Sequence, residues 1–187
     1  MREDIRRLQQ LSGITSIYVT HDQAEAMAVS DEIILMRNGT IEQQGPPQSL
    51  YHFPATVFVA DFIGESNIIN AELIGSGEKR QIVVGDIKIS VSVDEQMPYA
   101  NGPVKLSLRP EIIELLNSNP TAAQRPKRVI VQRAYMGPVI EYSVETKAGT
   151  LFTRVPAHSH QFQVNEKVYV HIHPDEIIII PENDDNN

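Results

Sequence analysis

From Asn67 onward the sequence consists of short β-rich segments separated by clusters of Gly, Pro, Asn and Asp, with no convincing helical period. Many short strands with turn signals between them are typical of a barrel or of a pair of small barrels. The candidate strands are 68–74, 81–84, 87–93, 104–108, 112–116, 128–135, 139–146, 150–155, 168–172 and 177–180. Ala148-Gly149 is a candidate hairpin turn, and the longest interval, 117–126, is the predicted separation between two sub-barrels.

The start of the chain has a different pattern, which predicts a helix followed by a strand. The stretch Ile14–Thr20 is rich in β-branched residues and follows Gly13, a plausible helix stop, so it predicts a buried strand. Apolar residues recur at helical spacing before it, at Met1, Ile5, Leu8 and Leu11.

The next segment predicts a second helix and a hairpin. Asp22 and Glu25 form a capping-box-like pair, which opens a helix through Val29. Asn38-Gly39 lies between two apolar segments and is the strongest two-residue hairpin signal that a sequence offers.

Two short helices, 48–52 and 55–63, are predicted after the hairpin, separated by Pro54 and closed by Gly64. The fold class is therefore α+β overall, with an all-β second domain. A family resemblance implies in addition that the first part is a partial α/β fragment and that the second is similar to the oligonucleotide-binding (OB) barrel. The predicted divisions are a fragment at 1–66, a β domain at 67–181 and a disordered tail at 182–187.

Composition excludes several classes of function. The chain has no Cys, so disulfide frameworks and thiolate zinc fingers are excluded. Its net charge of -8 disfavours nucleic-acid binding, which requires cations to replace phosphate counterions. No apolar run approaches the roughly 20 residues that a membrane helix needs, and no signal peptide is evident, so we expect a cytoplasmic protein.

A series of motifs in the first 66 residues matches one family in order and spacing. They are Tyr18–Met27, Asp31–Met36, Asn38-Gly39, Gln44-Gly45, Tyr51, Pro54 and Phe58–Gly64. These segments resemble the ATP-hydrolysing subunits of ABC importers, and the similarity covers residues 1 to about 66. The resemblance implies that this part is the carboxy-terminal fragment of an α/β ATPase domain.

His21 is the candidate catalytic residue. It lies where the predicted buried strand ends and a helix begins, the place where ligands collect in open α/β sheets. By the resemblance it is the switch histidine, which contacts the terminal phosphate of ATP and helps to align the attacking water. We expect Asp22, Gln23 and Glu25 to serve as helix cap and helix surface.

Other parts of an ATPase site are missing from the sequence. No Gly precedes a Lys, so there is no phosphate-binding loop. Leu11-Ser12-Gly13 is not the family signature, because Ile14 and Thr15 follow where Gly and Gln are expected. Neither Asp31-Glu32 nor Asp175-Glu176 follows the apolar strand that would present a catalytic acidic pair.

The resemblance places those elements upstream and implies ATP and Mg in the intact protein. We expect this chain alone to bind neither and to hydrolyse no ATP. We also expect residues 1–64 to be poorly supported by themselves, since a domain of this size is marginal even when complete.

The β domain more loosely resembles the transport-associated OB (TOBE) domain that follows the ATPase core in many importers. Its landmarks are Leu106–Glu111 and Tyr135-Met-Gly137. The resemblance implies regulation and dimer contacts, with a second ATPase subunit, the transmembrane permease subunits and, indirectly, a solute-binding protein as partners. The cargo stays open between polyamine, iron(III), sugar and others.

Two histidine pairs, His158/His160 and His171/His173, are weaker candidates. The second has the alternate spacing that puts both rings on one face of a strand, and two imidazoles can bind a metal. The sequence places no third ligand beside either pair, so we expect exposed histidines and no metal site. Two alternative functions stay open: a small-ligand sensor for oxyanions or metals, and a hydrolase using Ser159 or Ser12, which has no nucleophile-elbow sequence.

Overall fold

The computed structural model describes residues 2–92, 101–118 and 127–180. The chain divides into two compact units, Met1–Glu65 and Ser66–Asn187, each with its own hydrophobic core. The predicted tail at 182–187 lies outside the described residues. No helix in the described part of the chain has the length and apolar composition needed to cross a membrane.

The first unit contains four helices and one hairpin in its described residues. They are α1 (Arg2–Ser12), α2 (Gln23–Val29), β1 (Ile33–Arg37), β2 (Thr40–Gly45), α3 (Pro47–His52) and α4 (Val57–Phe62). The small core of the unit consists of Ile33, Leu35, Leu50, Val59 and Ile63. The predicted helices and hairpin are confirmed at these positions.

Local signals explain the ends of these elements. Gly13 ends α1 with a φ of 63°, and its N–H donates to the Gln9 carbonyl at 3.0 Å. Asn38 and Gly39 have φ values of 51° and 82°, as the tight hairpin turn requires. Thr56 caps α4, because its hydroxyl accepts the Val59 N–H.

The predicted buried strand at 14–20 is wrong. This stretch forms no strand, and the side chains of Ile17 and Val19 are 93% and 90% exposed. A strand needs a neighbour to pair its backbone groups, and the described residues of the first unit pair only β1 with β2. The segment has the composition of a buried strand, but the described residues of the unit contain no strand that pairs with it.

The second unit is built almost entirely of strands, as predicted. They are β3 (Asn67–Gly75), β4 (Lys79–Val84), β5 (Ile87–Ser92), β6 (Gly102–Leu108), β7 (Ile113–Leu116), β8 (Arg128–Tyr135), β9 (Val139–Thr146), β10 (Gly149–Pro156), β11 (Lys167–Ile172) and β12 (Ile178–Ile180). Two short 3₁₀ helices, Pro110–Ile112 and Pro174–Glu176, precede β7 and β12. The hairpin turn between β9 and β10 lies at 147–148, one residue earlier than predicted.

The strands form two five-stranded antiparallel sheets, in the orders β12-β6-β3-β4-β5 and β10-β9-β8-β11-β7. The predicted separation of two sub-barrels at 117–126, most of which lies outside the described residues, is wrong. β7 precedes that interval but pairs with β11, and β12 follows it but pairs with β6. The chain therefore crosses twice between the sheets, and residues from both sheets share one core.

Buried polar contacts join the two sheets. The Asn67 side chain in β3 donates to the carbonyls of Leu108 and Phe152 at 3.0 and 2.8 Å and accepts the Phe152 N–H at 2.6 Å. Within the second sheet, the Thr153 hydroxyl in β10 donates to the Ile113 carbonyl in β7 at 2.6 Å and so connects its two edge strands. The contacts of Asn67 with Phe152 help to fix how the sheets meet, because a buried polar group that lost its partner would destabilise the fold.

Candidate functional site

His21 lies on an exposed turn between the 14–20 segment and α2. The next residue, Asp22, is the N-cap of that helix, as predicted. The imidazole thus stands just before a helix N-terminus, on the surface of the first unit.

Three hydrogen bonds fix the residues on either side of His21. The Thr20 hydroxyl donates to the Glu25 carboxylate at 2.9 Å and accepts the Asp22 N–H at 3.0 Å. The Glu25 N–H in turn donates to the Asp22 carboxylate at 2.9 Å. Because both neighbours are held, the backbone position of His21 is set while its side chain faces solvent.

The prediction that Glu25 belongs to the helix surface is wrong, because it is buried. Its carboxylate accepts the hydroxyl of Thr20 in place of the Asp22 N–H that a complete capping box would provide. The sequence did not predict this contact of Thr20 with Glu25. A Thr five residues before a Glu, across a helix start, is too common to signal this contact.

Longer-range contacts anchor the helix that follows His21. The Gln23 side chain accepts the Gly64 N–H at 3.0 Å, which ties α2 to the chain just after α4. Arg6 in α1 donates to the Val29 carbonyl at 2.8 Å and pairs with Asp31 at 2.7 Å. Residues that are far apart in the sequence thus hold both ends of α2.

An exposed apolar run lies directly before His21. We define it as Leu8, Leu11, Ile14, Ile17 and Val19, all more than half exposed. Large exposed apolar patches are rare on monomeric proteins and mark interaction surfaces. Of the apolar stripe predicted for α1, Leu8 and Leu11 are exposed and Ile5 is half-buried, while Met1 lies outside the described residues.

The histidine pairs have different surroundings. His158 and His160 lie in a loop after β10, and the His160 ring contacts Phe162 at a centroid distance of 4.8 Å. His171 lies in β11 directly opposite Glu114 in β7, and the rings of His171 and His173 are 4.9 Å apart. The pairing of β7 with β11 thus brings a carboxylate beside the second pair, a neighbour that spacing alone could not indicate.

Comparison with known proteins shows which family these features match. Residues 106–180, from β6 to β12, match the TOBE domain. An Fe(3+) ions import ATP-binding protein of Rhizobium meliloti is 46% identical over 84% of this chain and 43% of its own length. Its counterpart in Vibrio cholerae is 37% identical over 97% of this chain and 50% of its own length. The chain thus spans about half the length, or less, of these curated relatives.

A solved structure described as the cytoplasmic molybdate-binding protein ModG covers 62% of this chain with a TM-score of 0.49 and 12% identity. A similarity of this size says nothing about a shared ligand. The family match and the named relatives confirm the resemblance to the carboxy-terminal part of an ABC importer ATP-binding subunit that carries a TOBE domain.

Proposed function

We propose that this chain serves as the carboxy-terminal part of the cytoplasmic ATP-binding subunit of an ABC importer. The observation that carries the proposal is the exposed apolar run before His21, which has the composition of a buried helix and strand. In this proposal, an α/β ATPase domain supplies the strands that flank 14–20 and cover it. The names of the relatives support the same function.

In the complete domain, His21 is proposed to act as the switch histidine. Phosphoryl transfer depends mainly on alignment and on charge stabilisation, so one imidazole donor at the terminal phosphate has a suitable role. The hydrogen bonds of Thr20, Asp22 and Glu25 support that role, because they hold the backbone around an exposed ring. The sequence contains no phosphate-binding loop for ATP and its Mg ion, since no Gly precedes a Lys.

Iron(III) is the cargo we propose, on the strength of the names that the relatives carry. Permease subunits at the inner face of the membrane, a solute-binding protein and a second copy of the ATP-binding subunit complete the proposed importer. The alternative of an oxyanion or metal sensor as the main function finds no support in those names.

A chimera tests the proposal directly. It joins the upstream residues of the Rhizobium meliloti relative to this chain, and ATP hydrolysis is measured by phosphate release. We expect the chimera to hydrolyse ATP and the unjoined chain to be inactive. Removal of one positioned hydrogen-bond donor costs about 10²–10³ in rate at comparable sites, so His21→Ala should lower turnover of the chimera by about that factor.

The matched control is His52→Ala, because His52 is another exposed histidine of the first unit and is the last residue of a different helix, α3. We expect turnover of this control variant to stay within about twofold of the unsubstituted chimera. Equal activity of the His21→Ala and unsubstituted chimeras would overturn the role of His21. Normal ATP turnover by the unjoined chain would overturn the proposed function as a whole.

A further inference from the structure

We propose that Glu114, His171 and His173 form a binding site for a divalent transition-metal ion in the second unit. One ligand atom from each residue lies within 4.8 Å of the other two. The His173 Nε2 atom and a Glu114 carboxylate oxygen are 4.0 Å apart. This proposal does not depend on the proposed function, because it concerns a separate site.

The strand pairing of β7 with β11 places the three side chains together. Glu114 is directly opposite His171 in the antiparallel register, so the two side chains share a face of the sheet. His173 is two residues further along and returns to that face. Its N–H donates to the Ile112 carbonyl at 3.3 Å, which holds its backbone beside β7 although β11 has ended.

The ligand set selects the class of metal. Two imidazole nitrogens and one carboxylate suit Zn²⁺, Ni²⁺, Co²⁺ and Fe²⁺, whereas Mg²⁺ and Ca²⁺ prefer oxygen ligands throughout. Three protein ligands also leave a coordination position for water, as in other sites with two histidines and a glutamate.

The distances permit coordination after a small side-chain movement. Metal–ligand bonds of about 2.0–2.2 Å in tetrahedral geometry place ligand atoms roughly 3.4 Å apart, so the widest pair must close by about 1.4 Å. The side chains of Glu114 and His173 are about half exposed, so a rotamer change of that size meets little packed protein.

The location of the site gives metal binding a structural consequence. Glu114 lies just after the first crossover between the sheets, which runs through Pro110–Ile112, and His173 lies just before the second, at Pro174–Glu176. A metal held here would link β7 to β11 where the chain changes sheets. Because a ligand that binds only the folded state stabilises it, the metal should raise the melting temperature of this unit.

The test is calorimetric titration of the full chain, freed of any purification tag, with ZnCl₂ and with MgCl₂. We expect saturable binding of one Zn²⁺ per chain and no binding of Mg²⁺. Glu114→Gln and His173→Gln should each weaken Zn²⁺ binding at least tenfold, since each removes one of three ligands. His158→Gln removes an exposed loop histidine and serves as the matched control, with unchanged affinity expected.

A spectroscopic readout separates a defined site from loose surface binding. Co²⁺ bound through two histidines and a carboxylate should give visible absorption bands. The bands should disappear when Zn²⁺ displaces Co²⁺, and they should be weaker in Glu114→Gln. Circular dichroism of each variant checks that it is folded. The proposal is overturned if the chain binds no Zn²⁺ at 1 mM, or if folded Glu114→Gln and His173→Gln bind it as tightly as the unsubstituted chain.

Discussion

Replacement of Asp86 by Asn should destabilise the second unit by removing the charge partner of Arg128. Asp86 lies in the turn between β4 and β5, and Arg128 begins β8, so their ion pair joins the two sheets. The side chains of Arg128 and Asp86 are 8% and 25% exposed. The Arg128 Nε atom is buried without a hydrogen-bond partner in the described part of the chain, which increases the dependence of Arg128 on Asp86.

The expected loss follows from this burial. Removing one partner of a fully buried pair costs about 3–5 kcal/mol, whereas an exposed pair contributes about 0–1 kcal/mol. The Asp86 pair lies between these limits, and Asn keeps a hydrogen-bond acceptor. We therefore expect Asp86→Asn to lower the free energy of unfolding by about 2 kcal/mol.

Urea denaturation followed by circular dichroism measures the loss. With a urea m value of about 2 kcal/mol/M, the midpoint should fall by roughly 1 M. Lys147→Ala is the control, because the Lys147 Nζ atom lies 3.5 Å from Asp86 but its side chain is mostly exposed. We expect that control to cost less than about 0.5 kcal/mol. A loss below about 0.5 kcal/mol for Asp86→Asn, or an equal loss for Lys147→Ala, would refute the reasoning.

The same pair predicts a dependence on pH. Desolvation acts to raise the pKa of Asp86, but the hydrogen bond and charge of Arg128, assisted by Lys147, outweigh it and lower the pKa below its usual value. A carboxyl group with a lowered pKa in the folded state stabilises the fold above its unfolded pKa, near 3.9. The stability difference between the unsubstituted chain and Asp86→Asn should therefore persist at pH 7 and disappear as the pH falls below about 4 through the folded pKa.

The remaining predictions concern burial and capping. Ile17→Thr should change the stability of this chain by less than about 0.5 kcal/mol because Ile17 is exposed, whereas the same change at buried Ile89 in β5 should cost about 3 kcal/mol in urea denaturation. Thr153→Val should cost about 1–2 kcal/mol in the same assay, because it leaves the buried carbonyls of Ile113 and Pro110 without that hydroxyl. Asp22→Ala should cost about 1 kcal/mol of α2 stability and broaden the His21 resonances in NMR spectra, since the cap fixes that turn.

Much of the local structure could be predicted from the sequence because short-range signals determine it. Asn38-Gly39 requires positive φ values that few other residues adopt, so the hairpin follows from two residues. The strands of the second unit follow in the same way from the alternation of apolar and polar residues. In β5, for example, the apolar residues are buried and the polar residues are exposed.

Pairing between distant segments could not be predicted. The sequence does not state that β7 pairs with β11, so neither the crossover between the sheets nor the approach of Glu114 to His171 was accessible from spacing. The contact of Thr20 with Glu25 was missed for a related reason, because it depends on the angle at which the chain enters α2.

The error at 14–20 is of another kind. Composition predicts whether a segment prefers burial, but burial also requires neighbouring strands, and the described residues of the first unit provide none for it. The family resemblance of the motif that contains His21 is confirmed. The described residues of the first unit, however, contain no sheet next to that motif.

The central claim is that residues 14–20 form a strand only when an ATPase domain supplies neighbouring strands, and hydrogen exchange at the amides of 14–20 tests it most directly. It is measured by mass spectrometry for the unjoined chain and for the chimera with the upstream residues of the Rhizobium meliloti relative. We predict exchange within about tenfold of an unstructured peptide in the chain alone and at least about 100-fold slower exchange in the chimera. Strong protection of 14–20 in a chain that light scattering shows to be monomeric, or no added protection in a folded chimera, would contradict the account.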